Sequence, residues 1–530
     1  MKKIFLVLIS LLSPFFILAQ TADKSDWQGG YPEACTSITV GNAASFDGSV
    51  ITSHTDDSHR TRSWMDIVPP KKHKESAVSK MYKREQDNTR KMPAYAHIEI
   101  GSIPQVEETH GFINTAYPSM NDKQLAIGES TFGGRDELQS DAGLIDCQRL
   151  CLILLERCET AREAITVSGE LLEKYGWNDY GECLTISDPK EVWHLEIVGP
   201  GVGKVGAVWA AQRVPDKHIS VNANASTIKE IDLENADYFM ASDNIFAIAK
   251  ENGYWNPEKE IFRFNYVYAP HSRTSLASRR REWRVFDLAA PSLGLDPNAS
   301  DYPFSIKPDT LITLEKVVSI FKDYYEGTEF DMRKTLTVSD ENGKTMISPL
   351  ANPHMPYDEL ILHRINGGWG ALGERTIARW YTMYGTIIQS RDWLPDAIGG
   401  VEWLAMDNIS TSIYIPVYAG TTDLPVAYKT PGRDGFTYKS AWWAFNRMST
   451  LSAQRWGDMH KDVDAVFNPM QQEIFDKTAQ FEKEVLELYT KNPKKAQDKL
   501  TEYTMLWGNK VVDAAWQLGN DLWTKYDEKF

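Results

Sequence analysis

The residue pattern points to an α+β chain, on three observations. Short runs with the two-residue alternation of β-strands crowd the first half, at residues 36–40, 49–53, 184–186 and 192–198. Longer runs with apolar residues at helical spacing stand apart from them, at 144–175 and 311–325. From residue 466 the character changes. Two helical stretches, 471–491 and 494–525, meet at Asn492-Pro493, with apolar residues at Phe481, Val485, Leu488, Leu500, Tyr503 and Leu506. That stripe predicts an α-helical hairpin packed on the main body.

Taken in order, the chain opens on Met1-Lys2-Lys3, an apolar run over residues 4–18, then Ala19-Gln20. A basic start, an apolar stretch and a small residue are the layout of a secretory signal peptide, here 1–19. The run is short for a membrane span, which needs ~20 apolar residues. The expected mature form therefore has no membrane span and is secreted or periplasmic. Residues 20–34 are polar and glycine-rich and read as a propeptide. A strand at 36–40, a turn over Gly41-Asn-Ala-Ala-Ser-Phe-Asp-Gly48 and a second strand at 49–53 follow. Residues 68–95, rich in Pro and Lys, read as a surface excursion. Further strands are expected at 97–100, 125–127, 205–210, 218–221 and 411–416, and a helix at 439–452. The main domain is drawn over 35–465 and the hairpin over 466–530.

Composition narrows the function. With 57 Lys and Arg against 73 Asp and Glu, the net charge is −16, which opposes nucleic-acid binding. The 17 Trp and 23 Tyr argue for a packed core rather than disorder. Five cysteines leave at least one without a partner in the chain. Cys147, Cys151 and Cys158 share a helical stretch with Leu150, Leu154 and Leu155 and read as a buried face, since a buried free cysteine behaves as a small hydrophobe. Cys35 falls outside any such pattern.

If the chain is cut before Cys35, a thiol and a free α-amine share one residue. That is a nucleophile with its own base, because an α-amine titrates near pH ~8. Pairing Val40 with Ser49 across the turn would set Cys35 opposite His54, with Asp57 just beyond. Directly opposed side chains lie ~5 Å apart on one face. Asp57 would then hold the amine. In an uncut chain His54 would be the base for an internal cysteine; the thiolate attacks in either case. Other motifs weigh less. Gly201-Val-Gly-Lys-Val-Gly206 fits a dinucleotide-binding pattern, but a strand-like run follows where a helix is required. His54-Thr-Asp-Asp-Ser-His59 could ligate a metal, although no H-E-x-x-H is present. No G-x-S-x-G occurs.

Around Cys35 the sequence resembles a known family. Ala34-Cys35-Thr-Ser-Ile-Thr-Val-Gly41, followed by Asp47-Gly-Ser-Val-Ile-Thr-Ser-His-Thr-Asp-Asp57, is similar to the start of the N-terminal-nucleophile cysteine dipeptidases of dipeptidase A type, relatives of penicillin V acylase and bile salt hydrolase. Gly128-Glu-Ser-Thr-Phe-Gly-Gly-Arg135, Asp188-Pro-Lys-Glu-Val-Trp-His-Leu-Glu196, Val221-Asn-Ala-Asn-Ala-Ser226 and Asp396-Ala-Ile-Gly-Gly-Val-Glu-Trp403 extend the likeness over most of 35–460. The resemblance implies a four-layer αββα sandwich, autocatalytic propeptide removal and Cys35 as nucleophile. It implies Asp57 as the carboxylate on the nucleophile's amine and Asn224 as the side-chain amide of an oxyanion hole. It also implies an active-site arginine from Arg279-Arg280-Arg281, for which Arg280 is the candidate; a fixed guanidinium binds a carboxylate bidentately. Glu129 and Thr131 are the candidate substrate-binding residues, Glu129 for a substrate α-ammonium. Where the wider superfamily often has arginine, this chain has His54.

The expected activity is hydrolysis of dipeptides through a Cys35 thioester, with no metal and no organic cofactor. Assembly into homo-oligomers, common in that superfamily, is a further expectation. The alternatives are an acylase acting on N-acyl amides on the same scaffold, a secreted binding protein without chemistry, and a metallohydrolase built on His54–His59.

Overall fold

The computed structural model describes residues 34–58, 64–87, 89–92, 94–354 and 374–529. The expected signal peptide and residues 20–33 of the expected propeptide lie outside the described residues, as does His59.

Two antiparallel sheets organise the chain, which is α+β as its pattern predicts. The larger has seven strands in the order Ser305–Ile306, Ile219–Asn222, Ala34–Val40, Val50–Asp57, Thr382–Ser390, Val401–Met406 and Ile415–Tyr418. The smaller has five, in the order Phe239–Ala241, Val208–Arg213, Val192–Val198, Gly181–Ser187 and Ala126–Gly133. Every residue of Ala34–Val40 and Val50–Asp57 is buried, although many are Ser, Thr, Asp or His. Their polar side chains meet the second sheet. Thr52 Oγ1 lies 2.8 Å from Thr185 Oγ1, Thr39 Oγ1 lies 3.0 Å from His194 Nε2, and Ser37 Oγ donates to Glu129 O at 2.9 Å. Gly128 permits the approach: a Cβ there would stand 2.4 Å from Ser53 O and 2.6 Å from Thr185 Oγ1.

The apolar cores lie elsewhere. One cluster joins Ile38, Ile51, Ile387, Trp403 and Val417 of the larger sheet to Phe445, Phe467, Leu500 and Trp507 of the C-terminal helices. A second joins Leu184, Ile186 and Leu195 of the smaller sheet to Leu150, Leu154, Ile165 and Leu172. Those last four belong to two helices where the sequence suggested one run. Asp146 caps Cys147–Arg157 by accepting from Arg149 N, and Thr160 caps Ala161–Tyr175 by accepting from Glu163 N.

Three further expectations need correction. The first strand pair runs Val40↔Ile51 and Cys35↔Asp56, two residues from the expected register. The cause is the connection, which is drawn out by pairing with a distant segment: Phe46 N donates to Ile312 O and Ile312 N to Ala44 O, each at 2.8 Å. The lysine-rich excursion holds an ordered hairpin, Val78–Gln86 with Tyr95–Pro104. Its pattern hid because most of its side chains face outward. The first C-terminal helix begins at Trp456, not near 471, and continues through Pro469 to Lys491. Asn492 caps the second helix, Pro493–Lys525, with Pro493 in its first turn. Among the described residues no helix is long and apolar enough to cross a membrane.

Candidate active site

Cys35 is buried in the strand flanked by Ile219–Asn222 and Val50–Asp57. Its Sγ donates to Glu129 Oε1 at 2.9 Å. His54 Nε2 lies 3.0 Å from the same oxygen. One donor atom each of Cys35, His54 and Glu129 therefore fall within 4.8 Å of one another. The register shift explains why His54 still arrives: a two-residue slip keeps its face, so it sits diagonal to Cys35 instead of opposite. Tyr117 and Tyr384 pack edge-on against its ring, with centroids 5.7 and 5.5 Å away.

Asn224 adopts a left-handed backbone at φ 59°, a conformation that asparagine tolerates better than most residues. Its Oδ1 accepts from the Cys35 backbone N–H at 3.1 Å, and its Nδ2 donates to Thr131 O at 2.6 Å. The amide thus holds the Cys35 nitrogen. Its N–H₂ group, which an oxyanion hole would use, is engaged with Thr131.

The arginine at this site is Arg281, not Arg280. Arg281 donates to Cys35 O at 2.7 Å, Thr36 Oγ1 at 3.0 Å, Ala223 O at 2.9 Å and Asn224 Oδ1 at 2.8 Å. Arg280 points off another flank of the helix Leu276–Ala289. There it donates to Glu374 Oε2 and Pro297 O and lies 3.5 Å over the Phe330 ring. Helical phase decides the matter. Ser278, one turn before Arg281, donates to Asn224 O at 3.0 Å, so the 278/281 face is the one turned to the site. That spacing was available in the sequence.

Asp57 pairs with Ala34, beside Cys35. Its Oδ2 accepts from Arg375 Nη2 and its Oδ1 from Thr382 Oγ1. Burial works against the Arg375 cation, but Asp57 together with Tyr381 and Tyr325 outweighs it and raises the guanidinium's pKa. No sequence signal pointed to Arg375.

Behind Glu129 stands a second carboxyl that the motif reading passed over. Glu182 lies across from Thr131 on the neighbouring strand and accepts from Thr131 Oγ1 at 2.6 Å. The two candidate substrate-binding residues thus differ in place: Glu129 reaches Cys35, whereas Thr131 holds Glu182. Burial, then the Glu129 charge, pushes Glu182 well above the usual carboxylate range. Burial also opposes ionisation of Glu129, but its hydrogen bonds to His54 and Cys35 pull it below that range. Burial and the neighbouring Glu129 push the Cys35 thiol well up, so it holds its proton. The site therefore couples a protonated nucleophile to an ionised acceptor.

Cys35, His54 and Glu129, and likewise Glu129, Cys147 and Glu182, offer donor types that a thiophilic cation accepts. As they stand, Glu129 Oε1 is engaged by two hydrogen bonds. All five cysteines are free and buried. After the glycine-rich turn at 201–206 comes the strand Val208–Arg213, antiparallel to Val192–Val198, in place of the helix that a dinucleotide site needs.

Comparison with known proteins agrees with the motifs. A profile described as peptidase family C69 matches residues 34–468. The chain is 26% identical over 443 residues to a probable dipeptidase of Latilactobacillus sakei, covering 81% of this chain and 84% of that protein. It is 24% identical over 506 residues to probable dipeptidase B of Lactococcus lactis subsp. lactis, covering 92% and 94%. It is 23% identical over 433 residues to dipeptidase A of Lactobacillus helveticus, covering 79% and 81%. The chain belongs to peptidase family C69.

Proposed function

We propose that this member of peptidase family C69 is a secreted cysteine dipeptidase in which Cys35 becomes the N-terminal nucleophile once residues 20–34 are removed. The observation that carries the reading is the setting of Cys35. Its thiol is held on Glu129, its carbonyl is clamped by Arg281 and its nitrogen is fixed by Asn224. The names of the similar proteins, dipeptidase A and dipeptidase B among them, favour the same substrate class. The two sheets with their flanking helices are read as the four-layer αββα sandwich of N-terminal-nucleophile hydrolases.

In the mature enzyme the freed Cys35 amine, still beside Asn224, takes the thiol proton. The thiolate attacks the dipeptide carbonyl. Arg281 fixes the backbone of the nucleophile, and Asp57, held by Arg375 and Thr382, supplies negative charge next to the new amine. For Asn224 to act as oxyanion donor, its Nδ2–H exchanges Thr131 O for the tetrahedral oxygen. The amine returns its proton to the leaving group, and water hydrolyses the thioester. Glu129 beside the nucleophile suits a free substrate α-ammonium better than the neutral acyl group of an N-acyl amide. Dipeptides are therefore preferred to acylase substrates.

The test is the N-terminal sequence of the secreted protein together with paired assays on dipeptides and N-acyl amino acids. A start at Cys35 with dipeptide turnover is expected, and Cys35→Ala loses both cleavage and turnover. Normal turnover by that variant would falsify the mechanism.

A further inference from the structure

Removal of the propeptide sets a problem that the mature mechanism does not solve. Before cleavage Cys35 has no α-amine; its nitrogen is an amide N–H donating to Asn224. Some other group must take the thiol proton. Asp57 is engaged by Arg375 and Thr382. His54 has its Nε2 against Glu129. The Cys35 S–H itself points to Glu129 Oε1, 2.9 Å away.

Glu129 is unusual in its partner. Its other oxygen, Oε2, is buried with no donor, and so is Oε2 of Glu182. Oxygens of the two buried carboxyls lie within 4.8 Å of each other. Two buried carboxyls this close do not both ionise, so one of them holds a proton, which the free Oε2 atoms can share. The remaining contacts say which. Glu129 faces two donors, the Cys35 thiol and the His54 ring. Glu182 faces one hydroxyl, Thr131, and has the uncharged thiol of Cys147 beside it. The anion belongs where the donors converge. The opposed shifts of the two groups agree, Glu182 being driven up by burial and by Glu129.

From this geometry, and resting on the N-terminal-nucleophile reading above, we propose that Glu129 is the base that activates Cys35 for propeptide cleavage, with Glu182 as the positioning residue that donates the shared proton to it. The step balances within the chain and one water. Glu129 takes the Sγ proton. The thiolate adds to the Ala34 carbonyl carbon through a five-membered ring. The Ala34–Cys35 C–N bond breaks as Glu129 returns the proton to the departing nitrogen, leaving an Ala34 thioester on Sγ. Water hydrolyses that thioester, releasing the Ala34 carboxylate and restoring the thiol. The product amine then inherits the role of base for dipeptides, and Glu129 is left free to face the substrate.

The experiment follows propeptide release by intact mass in the full chain, comparing wild type with Glu129→Gln, Glu182→Ala and Glu182→Gln. Glu129→Gln keeps the shape and cannot take a proton, so release slows by at least about 100-fold, the low end of what a general base contributes. Glu182→Ala lets the Glu129 carboxylate turn away from the thiol and slows release about tenfold, within the roughly 100-fold that misplacing a reacting group costs. Glu182→Gln recovers most of that loss, because an amide N–H replaces the carboxyl O–H. Release by a folded Glu129→Gln protein at the wild-type rate overturns the proposal, and so does a Glu182→Gln protein as slow as Glu182→Ala. Should Glu129→Gln not fold, the Glu182 pair decides alone, and a wild-type rate in Glu182→Ala then refutes it. Wild-type protein that keeps residues 20–34 while hydrolysing dipeptides defeats the underlying reading instead, and the two failures are thereby told apart.

Discussion

Replacing Arg281 by lysine tests whether the clamp on Cys35 works as its geometry suggests. The guanidinium makes four bonds beyond its own helix, to Cys35 O, Thr36 Oγ1, Ala223 O and Asn224 Oδ1, all between 2.7 and 3.0 Å. A lysine ammonium is a single point with three donors and no planar fork. From one position it can satisfy about two of these acceptors, so about two of the four bonds are lost. Each hydrogen bond to a charged group contributes ~1.5–3 kcal/mol, so two lost bonds cost roughly 3–6 kcal/mol, divided between stability and the transition state. At least ~2.7 kcal/mol on the chemical step is a hundredfold loss in kcat/KM. Arg280→Lys is the control, since its contacts lie on Glu374, Pro297 and Phe330. The assay is dipeptide kcat/KM on protein shown by mass to begin at Cys35, with Tm measured alongside. Arg281→Lys within threefold of wild type, or Arg280→Lys the more damaging of the two, would refute the assignment.

Other perturbations follow from named contacts. His54→Gln keeps a donor toward Glu129 but removes the ring whose bond and charge help hold that carboxylate ionised; the acid limb of propeptide release should move to higher pH, and an unmoved limb would count against His54 in this role. Glu402 is buried, with one oxygen on Ser119 and the other without a partner, and burial pushes its pKa to about 7. The unfolded value is ~4.3, so its contribution to stability is full below ~4.3 and is lost as pH rises through about 7; Tm should fall less between pH 5 and pH 8 in Glu402→Gln than in wild type, although Glu196 and Glu282, also near 7, keep part of the slope. Asn492→Ala removes the cap on the last helix, where Oδ1 accepts from Lys495 N at 3.0 Å. The cost is ~1 kcal/mol, read as a small drop in Tm with dipeptide turnover intact.

Much of this arrangement was legible in the residues, and what was not has physical causes. The strand-turn-strand around Cys35 shows in its alternation, yet its register depends on Ile312, more than 260 residues away, which pairs with the turn. Sequence periodicity carries no such long-range term. Cys35, His54, Glu129 and Asn224 do meet in space. The choice among Arg279, Arg280 and Arg281 turned on helical phase, and the serine at 278 offered that phase had it been weighed. Glu182 was invisible for another reason. Within a strand whose seven residues are all buried, nothing in the local pattern says that an acid is protonated rather than paired. Arg375 reaches Asp57 across 318 residues and carries no motif.

The charges around Cys35 tie the inferred proton to the fold itself. Among the described residues, four buried acids, Asp56, Asp57, Glu129 and Glu182, and three buried side chains able to carry positive charge, His54, Arg281 and Arg375, gather near it. In a low-dielectric interior an unmatched anion is costly, and the group responds by taking a proton. Glu129 and Glu182, with oxygens within 4.8 Å of each other, do not both ionise there, so one of them holds a proton. Glu182 is the one that does, because Glu129 faces both Cys35 and His54 whereas Glu182 accepts from the Thr131 hydroxyl. Cleavage as proposed would add the Cys35 α-amine, a further positive charge, to the same volume. On that reading a protonated Glu182 before cleavage and an ammonium on Cys35 after it would serve one packed site.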